Sequence, residues 1–170
     1  MKVQGKTFVV TGAGNGIGRE VSLQLLARGA QVAGLDLSQK GLDETSTKAD
    51  SPDFVGYAVD ITKLDAVSKA KEEISARFGS VDGLINVAGI IQPFVRVSEL
   101  SFDQISKVMD VNFYGLLHVT KTFLPELISR PEAHIANVSS MGGFVPVPGQ
   151  SIYGAVSYTH LRAHETKANL

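Results

Sequence analysis

Short runs of β-branched and apolar residues recur along this chain, and a helical pattern of apolar positions follows most of them. Such runs predict strands, whereas apolar residues spaced three or four positions apart predict helices. The predicted strands are Thr7–Val10, Gln31–Leu35, Phe54–Val59, Gly83–Val87 and His134–Val138. Strands that alternate with helices indicate a parallel sheet covered by helices on both faces.

Glycines and capping side chains mark where the helices between these strands begin and end. The first predicted helix carries Ile17, Val21 and Leu25 and ends at Gly29, and a weaker second helix lies within residues 41–49. The third predicted helix ends at Gly79. A long fourth helix runs from Ser101 to about Leu127, and a fifth begins near Ser151. Thr62 and Asp65 predict a capping box at the third helix. Pro125 predicts a bend in the long helix.

The order of these elements predicts the topology of the sheet. Right-handed crossovers and a glycine-rich turn after the first strand favour a doubly wound α/β sheet, the Rossmann fold, with strand order 3-2-1-4-5. In such a sheet ligands bind at the carboxyl ends of the strands. We therefore expect the functional residues to follow the strands, and each candidate below does so or lies on a helix nearby.

Composition narrows the possible functions. The 170 residues predict one domain, and 44% hydrophobic with 19% charged residues exclude a disordered polar chain. A formal net charge of −1 argues against nucleic acid or an anionic membrane as partner. The absence of cysteine excludes disulfides and thiolate metal sites, and no metal site is expected. No apolar run is long enough for a membrane helix or a signal peptide, so we expect a cytoplasmic protein.

The turn between the first strand and the first helix has the sequence TGAGNGIG, which matches T-G-x-x-x-G-x-G. Its glycines let the backbone approach a ligand closely, and the helix N-terminus offers free N–H groups to a diphosphate. An ordinary glycine-rich turn is the alternative. The predicted ligand contacts in this turn are Gly12, Asn15, Gly16, Ile17 and Gly18.

Acidic residues follow the second and third strands. Asp36 ends the second strand, 18 residues after Gly18, where a carboxylate accepts hydrogen bonds from adenosine ribose hydroxyls. It would also repel a 2′-phosphate, so it favours NAD over NADP; a solvated loop acid is the alternative. Asp60 and Ile61 follow the third strand and are predicted to contact the adenine, although Asp60 could equally be a turn residue.

Small and amide residues follow the fourth strand and lie within the long helix. Asn86, Ala88 and Gly89 are predicted to let the backbone approach a ligand, and a plain strand-to-loop turn is the alternative. Asn112 falls on the apolar stripe of the long helix, seven residues after Ile105. A buried amide needs a partner. Asn112 is therefore either bonded within the core or an active-site amide that holds a water or a backbone group.

Together these motifs resemble the short-chain dehydrogenase/reductase family. Five features occur in family order within residues 1 to about 155: T-G-x-x-x-G-x-G, N-x-A-G, Asn112, N-x-S-S ending at Ser140, and Tyr153. The resemblance implies an NAD(P)-dependent oxidoreductase that transfers hydride between a nicotinamide and an alcohol or carbonyl carbon. It implies Tyr153 as general acid/base, Ser140 as hydrogen-bond partner of the substrate oxygen, and Asn112 as holder of a proton-relay water. The chemistry also requires a positioned base and a donor to that oxygen.

The chain departs from the family pattern Y-x-x-x-K, because Ser157 occupies the lysine position. A tyrosine phenol ordinarily titrates near 10, so only about 0.1% is ionised at pH 7. The resemblance implies that the lysine favours the phenolate and binds the nicotinamide ribose, so its loss removes up to roughly three decades of phenolate. We therefore expect the chain as it stands to be inactive or nearly so. A non-catalytic NAD-binding sensor or interaction domain is the alternative.

From Val156 onward the sequence matches no family feature. We predict an NAD(P)-binding domain over residues 1–155, incomplete at its C-terminus, and a tail over 156–170 that is not native family sequence. Residues 90–94 and 141–148 are largely apolar and favour a hydrophobic alcohol or ketone as the small-molecule partner. The resemblance also implies that the full-length parent is a homo-oligomer.

Overall fold

Five parallel strands form the centre of the computed structural model, which describes the backbone of residues 2–162 and side chains as far as Tyr158. The strands are β1 Thr7–Thr11, β2 Gln31–Asp36, β3 Phe54–Ala58, β4 Gly83–Asn86 and β5 His134–Asn137. Their order, β3-β2-β1-β4-β5, confirms the predicted doubly wound sheet. Each strand ends within one residue of its predicted end.

The apolar runs are continuous because the central strands are buried on both faces. Along β1, Val9 contributes to one hydrophobic cluster, and its neighbours Phe8 and Val10 contribute to the other. Successive side chains of a strand point to opposite faces, so a strand between two helical layers needs apolar residues at every position. Val119 and Phe123 of the long helix, both fully buried, cover the Val9 face.

Helices flank the sheet on both sides. They are α1 Gly16–Leu26, α2 Gln39–Ala49, α3 Leu64–Phe78, α4 Phe102–Met109, α5 Leu116–Ser129 and α6 Ser151–Arg162. The predicted start of α4 is confirmed, since Ser101 and Gln104 form a reciprocal capping box there. The other predicted capping box is wrong: α3 begins at Leu64 and its N-cap residue is Lys63.

Asp60 explains why Thr62 does not cap α3. Its Oδ1 accepts hydrogen bonds from the Thr62 N–H at 2.9 Å and the Thr62 hydroxyl at 2.7 Å. This local turn uses both donor groups of Thr62 before the helix begins. Thr62 therefore belongs to the turn that Asp60 holds, and it does not take the N-cap position that the T-x-x-D pattern predicts.

The long predicted helix is divided into α4 and α5 by a π-helical turn, Asp110–Gly115. Helix α5 continues past Pro125 to Ser129, and the bend predicted at Pro125 stays a prediction. At Gly115 an added Cβ would lie 2.8 Å from the Ile61 side chain. The turn thus brings the helix backbone close to Ile61, in the segment that follows β3. Such π turns are frequent at functional sites.

Helix α6 crosses the predicted boundary between residues 155 and 156 without interruption. Val156 and Ser157 are each only 2% exposed, so the first residues of the predicted tail pack against the domain. Residues 163–170 of that tail lie outside the described residues, and its foreign origin stays a prediction. Within the described part of the chain, no helix has the length and hydropathy that spanning a membrane requires.

Asp82 joins the amino ends of the strands, at the edge opposite the candidate site. It is 3% exposed, accepts a hydrogen bond from the Thr7 N–H at 3.1 Å, and pairs with Arg130 at 2.6 Å and Lys6 at 3.4 Å. Burial alone would raise its pKa. The Thr7 N–H and the Arg130 and Lys6 charges together outweigh burial and hold the pKa of Asp82 below its ordinary value of 3.8.

Candidate functional site

The glycine turn leaves the end of β1 and opens directly into α1. Gly12 has φ +70° and Gly16 has φ +49°, backbone conformations that favour glycine. The N-cap residue Asn15 makes no side-chain capping bond within the described residues, so the first-turn N–H groups of α1 are left for another acceptor. An added Cβ on Gly16 would meet no described atom within 4 Å, so open space lies beside this helix N-terminus. The turn therefore fits an anionic ligand.

A cleft of about 480 Å³ runs along this turn and the adjoining strand ends. We call it the glycine-turn cleft; its lining residues are Gly12, Asn15, Ile17, Gly18, Leu35, Asp36, Leu37, Val59, Asp60, Ile61, Val87, Ala88, Gly89, Ile90, Lys107 and Val111. Ile17, which the sequence predicts as a ligand contact, is 60% exposed and lines this cleft.

Asp36 fixes the far wall of the glycine-turn cleft. Its Oδ2 accepts a hydrogen bond from the Gly14 N–H at 2.9 Å, and its Oδ1 accepts one from the Ser38 N–H at 2.9 Å. A carboxylate has about four acceptor positions, so two such bonds leave capacity for a ligand hydroxyl. Asp60 lines the same cleft while holding Thr62, so it is both a turn residue and a wall residue.

Lys107 and Val111 also line this cleft, and the sequence reasoning missed them as site residues. They lie four positions apart, Lys107 on α4 and Val111 in the π turn, and therefore share one face of the helix. Val111 immediately precedes Asn112. That adjacency to a candidate residue, together with the four-residue spacing, is the signal that could have identified them.

A second cleft of about 430 Å³ adjoins the first. We call it the serine–tyrosine cleft; its lining residues are Ile17, Val87, Ala88, Gly89, Ile90, Ile91, Asn112, Val138, Ser139, Ser140, Tyr153 and Ser157. Ile17 and the segment 87–90 line both clefts, so the two spaces meet there. This cleft thus brings together three predicted site residues from distant parts of the sequence, Ser140, Tyr153 and Asn112.

The Ser140 and Tyr153 side chains both lie next to Gly142. The Ser140 Oγ accepts a hydrogen bond from the Gly142 N–H at 3.2 Å, at the start of the 3₁₀ turn Met141–Gly143. A Cβ added to Gly142 would lie 3.7 Å from the Ser140 Oγ and 3.6 Å from Cδ1 of Tyr153. Both side chains therefore border the same glycine, which provides the room between them.

Ser157, at the position where the family has lysine, is tied to the end of β5. Its backbone carbonyl accepts a hydrogen bond from the Ser139 hydroxyl at 2.7 Å. Ser157 is buried and lines the serine–tyrosine cleft. Helix α6 thus presents this position to the same space as Tyr153, which lies one turn earlier.

Asn112 holds a backbone group at the boundary of the two clefts. Its side chain is 2% exposed; its Oδ1 accepts from the Ile90 N–H at 2.8 Å, and its Nδ2 donates to the Ile90 carbonyl at 2.8 Å. Of the alternatives left open by the sequence, the amide that holds a backbone group matches this geometry. Asn112 therefore fixes the wall segment that both clefts share.

Two predicted ligand contacts, Gly16 and Asn86, line neither cleft. The Asn86 side chain is 3% exposed and donates to Asn137 Oδ1 at 2.8 Å and to Thr120 Oγ1 at 3.2 Å. It therefore joins β4 to β5 and α5. Ala88 and Gly89, the other predicted contacts of this segment, line both clefts. Thr11 holds the start of the segment, because its hydroxyl oxygen accepts hydrogen bonds from the Val87 and Ala88 N–H groups at 2.9 and 3.0 Å.

Comparison with known proteins identifies similar chains over almost the whole length. A family model described as short chain dehydrogenase matches residues 6–157. SadH of Mycobacterium tuberculosis, named as an oxidoreductase, is 36% identical over 157 residues, which cover 91% of this chain and 56% of SadH. The 3-oxoacyl-[acyl-carrier-protein] reductase FabG of Thermotoga maritima is 34% identical over 159 residues, covering 91% of this chain and 63% of FabG.

Solved structures show the same fold. A xylitol dehydrogenase with bound NAD+ superposes with a TM-score of 0.88 at 29% identity, covering 93% of this chain and 62% of that protein. A 3-ketoacyl-(acyl-carrier-protein) reductase from Brucella melitensis complexed with NADH gives a TM-score of 0.90 at 27% identity, covering 92% and 66%. The chain therefore spans 56 to 66% of the length of these four proteins.

Proposed function

The chain belongs to the short-chain dehydrogenase family, and on that premise we propose that it binds NAD for hydride transfer between the nicotinamide and an alcohol or carbonyl carbon. The bound cofactor would supply the hydride acceptor or donor. The observation that carries the proposal is that Ser140 and Tyr153 line one cleft, which meets the glycine-turn cleft at the segment 87–90. Binding and proton exchange then occur in adjoining spaces.

Binding would begin at the glycine turn. The uncapped first turn of α1 suits a diphosphate, with Gly12, Asn15, Gly16, Ile17 and Gly18 around it. Asp36 would accept the ribose hydroxyls and repel a 2′-phosphate, which is why we favour NAD over NADP. The remaining proposed cofactor contacts are Asp60, Ile61, Asn86, Ala88 and Gly89; for Asn86 the contact would come from its backbone, because its side chain is bonded within the core.

The catalytic residues would handle the substrate oxygen. Tyr153 would take the hydroxyl proton during alcohol oxidation and return it during carbonyl reduction. Ser140 would donate a hydrogen bond to the same oxygen and stabilise the charge that develops on it. Asn112 would support a proton-relay water through the backbone that it holds at Ile90.

Exposed apolar side chains on the loops that follow β4 and β5, one of them Ile91 in the serine–tyrosine cleft, favour a hydrophobic alcohol or ketone. Ile91, Phe94, Met141 and Phe144 are between 53% and 70% exposed, on the two loops that follow β4 and β5. A cluster of this kind is typical of a surface that receives an apolar ligand. The substrate class stays a proposal, as do the homo-oligomeric parent and the cytoplasmic location.

Ser157 favours a second candidate, an NAD-binding sensor or interaction domain. Ser157 supplies no cation to the serine–tyrosine cleft, so we propose that the chain as it stands turns over very slowly. We also propose that the chain is an incomplete version of a longer enzyme, and that the native family sequence within this chain ends near residue 155. Its share of the length of its relatives, 56 to 66%, is consistent with that proposal.

Two measurements on the purified chain test these proposals. NADH fluorescence titration measures cofactor binding, and an assay of medium-chain alcohol oxidation with NAD+ measures turnover. Binding with turnover close to zero supports the sensor or the incomplete enzyme. Absence of NADH binding by a folded chain would contradict both candidates, and turnover at a rate usual for enzymes, about 10 per second, would contradict the proposed inactivity.

A further inference from the structure

Gln92 is a buried loop residue whose amide joins the loop after β4 to the start of α6. Its side chain is 2% exposed. The Oε1 atom accepts hydrogen bonds from the Ile152 N–H at 3.0 Å and from the Tyr153 N–H at 2.9 Å. The Nε2 atom donates to the Gly149 carbonyl at 3.0 Å. One side chain thus holds the backbone immediately before and within the first turn of α6.

These contacts replace a helix cap that the local sequence does not supply. The Gly154 N–H bonds to the Gln150 carbonyl at 2.8 Å, which makes Gln150 the N-cap residue of α6. An N-cap side chain normally accepts from the second or third helical N–H, and Ser, Thr, Asp and Asn do this well. Glutamine is not among them. Here Ile152 and Tyr153 hold those two positions, and Gln92 supplies the acceptor from a distant loop.

The loop that carries Gln92 is itself fixed. Thr11 holds its beginning through the Val87 and Ala88 amides, and Asn112 holds Ile90 through both its N–H and its carbonyl. Gln92 follows Ile90 by two residues. The wall shared by both clefts is therefore connected to the first turn of α6 through Gln92.

We propose that Gln92 is a positioning residue for Tyr153. The inference rests on the proposed function, in which the Tyr153 phenol exchanges a proton with the substrate oxygen. Gln92 lines neither described cleft, so it acts through the backbone that it bonds. Because reacting groups must be held closely, a displacement of about 1 Å lowers a rate by as much as a hundredfold.

The experiment compares Gln92→Ala with Gln104→Ala in the full chain. Gln104 is the matched control because its Oε1 also accepts a backbone N–H at a helix start, that of Ser101 at 2.9 Å. NMR measures amide hydrogen exchange at residues 152 and 153 and the ring signals of Tyr153 in chain labelled with ring-¹³C tyrosine. Tyr153→Phe identifies those ring signals.

We expect Gln92→Ala to speed exchange at both amides at least tenfold and to shift the Tyr153 ring signals, while strand amides keep their protection. Gln104→Ala should change neither. Gln92→Glu keeps an acceptor oxygen for the Ile152 and Tyr153 N–H groups but loses the donor to the Gly149 carbonyl, so it should retain more protection at both amides than Gln92→Ala. It also keeps the test possible if the alanine variant does not fold. Unchanged exchange and ring signals in Gln92→Ala, or equal changes in Gln104→Ala, would overturn the inference.

A kinetic comparison separates this inference from the proposed function. In chains that also carry Ser157→Lys, Gln92→Ala should lower kcat at least tenfold and change NADH affinity by less than twofold. An unchanged kcat would overturn the positioning role. If Ser157→Lys alone gives no turnover, the proposed catalytic function fails, and the NMR comparison still decides whether Gln92 positions Tyr153.

Discussion

The two clefts are built in different ways, although they share a wall. The glycine-turn cleft is held by residues close to the strands they follow, such as Gly14 bonded to Asp36 and Ala13 bonded to Leu35. The serine–tyrosine cleft depends on side chains that reach across the sequence, such as Gln92 bonded to the start of α6. A sequence change in α6 or its neighbouring loops can therefore alter the second cleft and leave the first intact.

Ser157 is such a change. It replaces the family lysine at a position that lines only the serine–tyrosine cleft, and Ser139 holds its backbone in place. If the proposed roles hold, cofactor binding and proton transfer should be separable in this chain, because Ser157 lines one cleft and not the other. The predictions below disturb one cleft at a time, and the last disturbs neither.

The largest expected effect comes from Ser157→Lys. The variant adds an ammonium group to the serine–tyrosine cleft, which favours the ionised phenol of Tyr153. We expect NAD+-dependent alcohol oxidation to rise by up to roughly three decades. Ser157→Met, which adds similar bulk without charge, is the control. Equal rates in both variants would show that the missing cation does not limit turnover.

Next, Gly18→Ala should disable the glycine-turn cleft. A Cβ there would collide with the backbone carbonyl of Gly12, so the turn must shift. Overpacking of this kind costs about 1–3 kcal/mol, and we expect NADH affinity to fall at least about tenfold in a fluorescence titration. Gly79→Ala is the control, because Gly79 has φ +80°, which disfavours alanine, and lies outside both clefts. This variant should have a lower melting temperature and an unchanged NADH affinity. Equal NADH affinity in Gly18→Ala and the native chain would contradict this use of the turn.

A smaller change is expected from Asp36→Asn, which keeps the shape of the side chain and removes its charge. The variant should bind NADH less well, because a ribose hydroxyl loses a charged acceptor, and should accept NADPH better, because repulsion of the 2′-phosphate is gone. We expect the ratio of the two affinities to change about tenfold. Titration with both cofactors measures it; Asp43→Asn, on the exposed side of α2, is the control. A ratio equal to that of the native chain would remove Asp36 from cofactor discrimination.

The smallest effect on binding is expected from Asp82→Asn, at the opposite edge of the sheet. The variant breaks pairs with Arg130 and Lys6, and we expect its melting temperature at pH 7 to fall by roughly 5 °C while NADH affinity stays unchanged. Because the folded pKa of Asp82 lies below 3.8, its charge stabilises the fold above about pH 4, and that stabilisation is lost as the pH falls through the folded pKa. The difference in melting temperature between the native chain and Asp82→Asn should therefore shrink as the pH is lowered from 7 through the folded pKa of Asp82. Curves that stay equally separated would contradict the assigned role of the charge.

The sequence predicts the sheet well because each central strand is buried on both faces, which requires an unbroken apolar run. It predicts the glycine turn because the turn itself lies within one stretch of chain, residues 11–18, although the cleft beside it also takes residues from later strands. Asn86 shows the limit: which way its side chain turns depends on Asn137, 51 residues away. Gln92 shows a second limit, because a glutamine in a loop carries no periodic signal until the helix it caps is known.

The π turn at Asp110–Gly115 has a consequence for how this protein can vary. An α-helix advances about 100° per residue, so the wider turn rotates everything after it relative to everything before it. Lys107 can thereby face a ligand space while Val119 and Phe123 face the interior. Loss of a single residue here would swing Asn112 away from its backbone partner, so this stretch should accept substitution at an exposed position such as Tyr114 far more readily than a change of length.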